Sequence, residues 1–216
     1  MENYQKKLDA ILHSLIEKKL RTHTKTKPTL LLHACCAPCS SYVLEYLSPY
    51  FEITLYFYNP NIFPETEYAR RLSELENFLA AFPAARENNI SLCKTNYDKN
   101  EFDAAIDISK NPELAIEKEK GARCEKCYRL RLENAYAYAR SHNFDWFTTT
   151  LSISPFKDAQ KINAIGFSLA QKDGPQFLAS DFKKRGGFKR SLALSDEYNL
   201  YRQEYCGCEF SMRGKK

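Results

Sequence analysis

No apolar stretch in this chain of 216 residues approaches the roughly 18 residues that a membrane-spanning helix needs. The sequence also lacks a positively charged start followed by an apolar run, which is the pattern of a secretory signal. It contains no internal repeat and no low-complexity segment. These absences predict a protein without a membrane partner that works in the reducing cytoplasm, where cysteines remain free thiols.

The composition is that of a globular protein with a core of its own. Hydrophobic residues make up 44% of the chain, and 14 Phe and 14 Tyr supply large side chains. A core of this kind needs no disulfide or metal to hold it together. The net charge of +5, from 32 basic and 27 acidic residues, is too mild to identify a nucleic-acid-binding protein by itself.

Strand and helix patterns alternate along the chain. Apolar runs predict strands at residues 29–33, 52–58, 90–93, 146–151 and 176–178, and helical periodicity predicts helices at 40–47, 65–82, 123–141, 158–171 and 192–205. This alternation is typical of a single α/β domain whose parallel sheet is flanked by helices. An amphipathic helix at residues 2–20 precedes it. We therefore expect a helical extension and linker over residues 1–28 and a metal-binding catalytic domain over residues 29–216.

Seven of the eight cysteines fall in three tight clusters, namely Cys35, Cys36 and Cys39; Cys124 and Cys127; and Cys206 and Cys208. Thiols at short spacings from distant segments suit soft metals, because one loop or helical turn can supply two ligands to one centre. Seven thiols exceed the four that one tetrahedral site or one four-iron cluster requires, which predicts two centres. Cys93 stands alone in an apolar strand and is predicted to be a core residue.

Two allocations of these thiols are open. In the first, Cys35, Cys36, Cys124 and Cys127 hold a four-iron cluster, which leaves Cys39, Cys206 and Cys208 for one metal ion with an open position. In the second, all the clusters form structural zinc sites. Structural zinc usually has four closed ligands in a small module with little core, so a well-cored chain with three remaining thiols favours the first allocation.

Histidine and basic residues add further candidates. His33 lies between the first predicted strand and the thiols, where it could orient a ligand or donate a proton, although a buried core histidine is the commoner case. One basic segment surrounds the middle cysteine pair with Lys118, Lys120, Arg123, Lys126, Arg129 and Arg131. A second contains Lys183, Lys184, Arg185, Phe188, Lys189 and Arg190, together with two glycines. The second segment predicts contacts with RNA phosphates and an unpaired base, and a solvated face is the alternative.

The motifs together resemble those of the cobalamin-independent epoxyqueuosine reductases, the QueH family. The shared features are HACCAPC at residues 33–39, the Tyr-Asn-Pro-Asn-Ile turn at 58–62, CxxC at 124–127, the segment at 149–155, Asp-Phe-Lys-Lys at 181–184 and Tyr-Arg-Gln-x-Tyr-Cys-Gly-Cys at 201–208. They occur in a consistent order from residue 29 to residue 210. The leading helix lies outside the part of the chain that carries the resemblance.

The resemblance implies a Rossmann-like fold similar to that of the adenine nucleotide alpha-hydrolase group. It implies a reductase that removes the epoxide oxygen of epoxyqueuosine at the tRNA wobble position, the last step of queuosine biosynthesis. The implied partners are tRNA and an external electron donor. The implied cofactors are a [4Fe-4S] cluster on Cys35, Cys36, Cys124 and Cys127, and a mononuclear iron or zinc ion on Cys39, Cys206 and Cys208. His33, Tyr201 and Arg202 are then candidates for orienting the substrate or donating protons.

Two other classes of protein share some of these features. ATP-dependent tRNA thiolation enzymes use a strand–loop–helix fold and CxxC pairs, but they need a glycine-rich loop after the first strand to bind pyrophosphate. Residues 34–39 contain no glycine, which counts against ATP chemistry. A zinc-dependent RNA-binding protein without catalytic activity is the other alternative. Iron and sulfide content would separate it from a reductase.

Overall fold

The computed structural model describes residues 2–23, 26–170 and 172–212. Its strands are β1 (Thr29–His33), β2 (Glu52–Phe57), β3 (Ser91–Lys94), β4 (Trp146–Thr149) and β5 (Gln176–Phe177). Its helices are α1 (Tyr4–Thr22), α2 (Ala37–Leu47), α3 (Glu65–Ala81), α4 (Pro83–Glu87), α5 (Lys99–Ile106), α6 (Ala122–Ser141), α7 (Ala159–Leu169), α8 (Gly187–Glu197) and α9 (Glu209–Met212). The five strands form one parallel sheet in the order β3-β2-β1-β4-β5. The predicted α/β class is confirmed.

The central strand explains how the two layers of helices are held. Leu30, Leu31 and Leu32 of β1 are completely buried. Because successive side chains of a strand point to opposite faces, Leu30 and Leu32 pack in one core with α1, α2, α3 and α8. Leu31 packs in the other core with α6 and α7. A strand buried on both faces reads as a continuous apolar run, which is the pattern seen in the sequence.

The order of the strands reverses beside β1. The chain adds β2 and β3 on one side of β1 and then β4 and β5 on the other. In open parallel sheets, ligands bind in the crevice that such a reversal leaves beyond the carboxyl ends of the strands. The cysteine loop follows β1 at this crevice, and a 3₁₀ turn at Thr150–Ile153 follows β4 there.

The main error of the sequence-based prediction lies near the C-terminus. Helix α8 spans Gly187–Glu197 rather than 192–205, so Cys206 does not end a helix and residues 199–208 form an irregular segment. The helix starts early because Gly186, with a φ of 77°, turns the chain, and a side chain at Gly187 would overlap the Phe182 carbonyl oxygen. The apolar periodicity does not predict the short helices α4 and α5. The predicted helical end at Gln171 and linker residues 24–25 lie outside the described residues.

The leading helix α1 is packed into the main core. Leu8 and Leu12 are buried in the same cluster as Leu30 and Leu32, whereas Leu20, expected on the apolar face, is 69% exposed. The division into an extension and a catalytic domain stays a prediction. Within the described ranges, no helix combines the length and the apolar character that crossing a bilayer requires.

Candidate metal centre and active site

The first group of thiols lies at the carboxyl end of β1. Cys36 is the N-terminal capping residue of α2, Pro38 lies in the first turn, where proline is favoured, and Cys39 follows it. The sulfur atoms of Cys35, Cys36 and Cys39 lie within 4.8 Å of one another, and the Cys35 and Cys36 sulfurs are 3.7 Å apart. Two thiolates bound at about 2.3 Å to one tetrahedral ion lie roughly 3.8 Å apart. The pair therefore has the spacing of two ligands on one metal.

The other four clustered thiols surround a second, small cavity. Cys124 and Cys127, one turn apart at the start of α6, line it together with Cys206 and Cys208. Between the last two, Gly207 has a φ of 108°, which favours glycine. A side chain there would also approach Arg71 and Ile62 to 3.0 Å. Both observations explain why a glycine separates Cys206 from Cys208.

The two groups adjoin each other. Cys35, Cys39 and Cys206 line the same large cavity, and Cys124 packs in one cluster with Cys35 and Cys36. The structure thus brings all seven predicted ligands into one region. The observed groups are Cys35, Cys36 and Cys39, and Cys124, Cys127, Cys206 and Cys208. The resemblance instead implies that Cys35 and Cys36 share a centre with Cys124 and Cys127. Because the sets adjoin, the allocation of individual thiols to each centre stays a prediction. All are free thiols, and such soft donors fit an iron–sulfur cluster and a thiolate-bound ion.

One thiol in each group is favoured as a thiolate. Hydrogen bonds from Cys36 and Cys39, with the charge of Arg131, hold the pKa of Cys35 well below its usual range. A hydrogen bond from Cys208 and the nearby charge of Lys157 do the same for the pKa of Cys206. Metals bind thiolates rather than thiols, so each group contains a ligand that is ready to bind at neutral pH.

Arg131 of α6 connects the thiols to the sheet. Its side chain is buried, with Nη1 3.7 Å from the Cys127 sulfur and Nη2 donating to Asn59 Oδ1 at 2.9 Å. Asn59 in turn donates to the Ala34 carbonyl oxygen at 2.8 Å, next to Cys35. The turn after β2 therefore fixes the position of α6 relative to the first cysteine loop.

A cavity of about 770 Å³ opens beside the thiols. Its walls come from the cysteine loop, the segment after β4, the start of α6 and the irregular segment 199–208. The lining includes Cys35, Cys206, Glu119, Lys157 and Arg202. Binding sites for small molecules range from about 300 to 1,000 Å³, so this cavity has room for a nucleoside next to the thiols.

Comparison with known proteins identifies the family. A sequence model of epoxyqueuosine reductase QueH matches residues 30–214. The epoxyqueuosine reductase QueH of Staphylococcus aureus (strain Mu50) is 39% identical over 211 residues, which cover 98% of this chain and 86% of that protein. The chain belongs to the epoxyqueuosine reductase QueH family. The QueH protein of Haemophilus influenzae is 41% identical over 187 residues (85% of this chain, 71% of that protein), and that of Thermotoga maritima is 33% identical over 187 residues (85% and 90%).

The resemblance drawn from the motifs is thereby confirmed, and the QueH match covers most of the fold described above. The family match begins within β1, at residue 30. The alignment with the S. aureus relative covers 98% of the chain and so takes in nearly all of α1 as well. The leading helix is therefore shared with some QueH relatives, although it lies outside the family match.

His33 is fully buried in a hydrogen-bonded network. Its Nε2 lies 3.0 Å from the Tyr58 carbonyl oxygen and 3.4 Å from Arg131 Nε, and its Nδ1 lies 2.8 Å from the Thr149 hydroxyl oxygen. Burial and the charge of Arg131 lower the pKa of His33 to about 3, so the ring is neutral at physiological pH. His33 joins the ends of β1, β2 and β4 and does not touch the large cavity. The structure supports a positioning role for it, and a catalytic role stays a prediction.

Tyr201 and Arg202 point to different surroundings. The Tyr201 hydroxyl lies 3.2 Å from the Glu67 carboxylate, and the Arg70 guanidinium lies 3.3 Å from the ring centroid. Tyr201 therefore anchors the irregular segment to α3 and does not line the large cavity. Arg202 does line it, with Nη1 donating to Ser195 Oγ at 2.9 Å. Of the three predicted catalytic residues, Arg202 is the one placed to contact a ligand.

The basic segment near α8 is partly neutralised by carboxylates. Lys183 pairs with Asp181, Arg185 with Asp9, and Arg190 with Glu45 and Glu197. Lys184 and Lys189 are exposed, and the described residues give them no carboxylate partner. Phe188 lines the large cavity, and the predicted RNA contacts of this segment stay a prediction.

The basic segment around the middle cysteines is not a solvated face throughout. Arg123 and Arg131 are only 3% exposed each. Arg123 donates to the Leu114 carbonyl oxygen and holds the segment before α6 in place. The two arginines are therefore buried within the site, and the other basic residues of the segment are exposed at the surface.

Two residues that position the thiols, Arg71 and Gln203, were not identified as site residues from the sequence. Arg71 of α3 is buried and donates to the carbonyl oxygens of Tyr205 and Cys206, both at 3.3 Å. Gln203 donates from Nε2 to the Cys36 sulfur at 3.1 Å. Gln203 lies inside a motif that the resemblance includes, so its position in that motif was the one available indication.

Proposed function

We propose that this QueH-family chain is an epoxyqueuosine reductase that acts on tRNA. The observation that carries the proposal is the convergence of seven free thiols, in two adjoining groups, beside a cavity with room for a nucleoside. Loss of the epoxide oxygen takes two electrons and two protons and releases water. A bound iron–sulfur cluster supplies single electrons, and a thiolate-bound metal ion can polarise the epoxide oxygen. An external donor must therefore reload the protein twice in each turnover.

The chain's own residues would hold the cofactors and the substrate. Cys35, Cys36, Cys124 and Cys127 are proposed for the [4Fe-4S] cluster, and Cys39, Cys206 and Cys208 for the mononuclear iron or zinc ion. The 3.7 Å spacing of the Cys35 and Cys36 sulfurs supports placing these two on one centre, and the allocation of the other five thiols rests on the family resemblance. Arg202 is proposed to orient the substrate from the cavity wall. Because the substrate is tRNA, we propose a cytoplasmic location.

The proposal is tested by metal analysis and turnover together. Anaerobically purified protein should contain iron and sulfide, and with a strong reductant it should convert epoxyqueuosine-tRNA to queuosine-tRNA. Cys124→Ala should lose most of the iron and the turnover, because an iron–sulfur cluster that lacks one thiolate is labile. Cys93→Ala is the matched control, because Cys93 is half-buried on the edge strand β3, outside both thiol groups.

A colourless protein that contains zinc alone and shows no turnover would contradict the proposal. Cys206→Ala separates the two centres. If the implied allocation is right, this variant keeps the iron–sulfur absorbance and loses turnover. Loss of the absorbance would instead support a cluster on Cys124, Cys127, Cys206 and Cys208.

A further inference from the structure

Two apolar side chains at the rim of the large cavity are unusually exposed. Ile116, just before α6, is 88% exposed, and Phe156, in the segment after β4, is 65% exposed. Both line the same cavity as the thiols. Large apolar side chains that lie at the mouth of a cavity and remain open to water are suited to contact a ligand that is larger than the cavity itself.

Phe156 differs from the other aromatic residues of the cavity wall. The rings of Phe188, Tyr205 and Phe210 each have an arginine guanidinium within 6 Å of the centroid, from Arg202 (5.9 Å), Arg71 (5.2 Å) and Arg123 (5.1 Å) respectively. Within the described part of the chain, no ring or cation faces Phe156 in this way. Its π-face is therefore available to a ligand, while the other three rings already have a partner.

Phe156 lies in a hydrogen-bonded backbone turn. The Phe156 N–H donates to Ser154 Oγ at 3.2 Å, and the Lys157 N–H donates to the Ser154 carbonyl oxygen at 3.2 Å. Pro155 between them fixes one more backbone dihedral angle. Because this backbone is already ordered, stacking of a ligand on Phe156 would cost side-chain entropy but little backbone entropy.

We infer that Phe156 is a stacking platform for an unpaired base of the tRNA anticodon loop, next to the nucleoside that enters the cavity. The inference rests on the proposed function. Single-stranded RNA loops are recognised largely by stacking of splayed bases on exposed aromatic side chains. Charge complementarity supports this occupant, because the cavity lining contains five cations (Lys118, Arg123, Arg131, Lys157 and Arg202) against three carboxylates (Glu117, Glu119 and Glu204), an excess that suits the phosphates of RNA.

The experiment compares Phe156→Ala, Phe156→Trp and wild type on tRNA that carries epoxyqueuosine. Stacking of one base changes affinity by about 5- to 150-fold, so Phe156→Ala should raise KM by a factor in this range and leave kcat largely unchanged. Phe156→Trp should stay close to wild type, because it keeps the flat apolar face. Leu20→Ala, which removes a side chain that is 69% exposed on α1, is the control and should change neither constant.

A second measurement does not depend on turnover. Anticodon stem-loops with an abasic site on either side of the modified nucleoside are titrated against wild type and Phe156→Ala. If Phe156 stacks on a base, one abasic site should weaken binding by the wild type and leave the affinity of Phe156→Ala unchanged. The intact stem-loop should also quench the fluorescence of the tryptophan introduced in Phe156→Trp. Equal KM for Phe156→Ala and wild type, or equal sensitivity of both to the abasic sites, would overturn the inference. Tight, abasic-sensitive binding without any turnover by wild type would support the platform and refute the reductase activity.

Discussion

The C-terminal thiols depend on one buried ion pair, and its removal is our main prediction. Arg71 is 1% exposed, and its Nε donates to Glu67 Oε1 at 2.7 Å. Its two Nη groups donate to the carbonyl oxygens of Tyr205 and Cys206. Arg71→Met keeps a side chain of similar length, removes all these donors and leaves the Glu67 carboxylate buried without its charge partner.

The burial of this ion pair determines the expected loss of stability. Removing one partner of a buried ion pair costs about 3–5 kcal/mol in the free energy of unfolding, mainly because the other charge stays buried. For a chain of this length that corresponds to a fall in Tm of roughly 6–20 °C. Thermal unfolding of the anaerobically purified protein measures it. Iron content should fall as well, because the segment that carries Cys206 and Cys208 loses its anchor to α3.

An exposed ion pair provides the control. The side chains of Lys94 and Glu76 are 58% and 41% exposed, so Lys94→Met should change Tm little. In the double variant Arg71→Met, Glu67→Gln, part of the lost stability should return, because no uncompensated charge remains buried. A fall in Tm for Arg71→Met no larger than that for Lys94→Met would refute the reasoning.

Three further predictions concern the metal centres and the RNA. Gly207→Ala should lower stability by about 1 kcal/mol or more and reduce iron content on metal analysis, because φ is 108° there and the new methyl group would crowd Arg71. Arg131→Gln should lower the midpoint potential of the iron–sulfur centre in an anaerobic redox titration, because a buried positive charge near the thiols favours the reduced state. Arg129→Gln is the control and should leave the potential unchanged, because the Arg129 side chain is 46% exposed. Replacing Lys184 and Lys189 by Ala should weaken tRNA binding and lower its salt slope by about 1–2, and an unchanged slope in a binding titration would remove this segment from the interface.

Much of the fold could be predicted from local patterns. The run Thr29–His33 appears in the structure with the bounds expected from the sequence, because a strand buried on both faces must be continuously apolar. The start of α6 beside Cys124 also agrees within one residue. Cys35, Cys36 and Cys39 lie at the carboxyl end of β1, as expected from a motif that directly follows the first predicted strand.

What could not be predicted depends on contacts between distant segments. The helical periodicity after residue 187 continues past Glu197, yet the chain leaves the helix there because residues 199–208 bind to α3 through Arg71 and Glu67. A buried arginine on an amphipathic helix has the same sequence pattern as an exposed one. The pairing of Arg185 with Asp9 and of Arg190 with Glu45 could not be predicted for the same reason, since these carboxylates lie more than a hundred residues away in sequence.

The arrangement of charge explains why so many thiols can lie together in the interior. Thiolates brought close to one another repel, and burial raises that cost. Arg131 and Lys157 compensate this repulsion, since both line the small cavity with Cys124 and Cys206, and Arg131 also contacts Cys127. Burial alone would lower the pKa of Lys157, but the neighbouring Cys206 charge raises it, so the ammonium stays charged. Arg131 and Lys157 also line the large cavity, so under the proposed function they would lie close to the nucleotide that enters it.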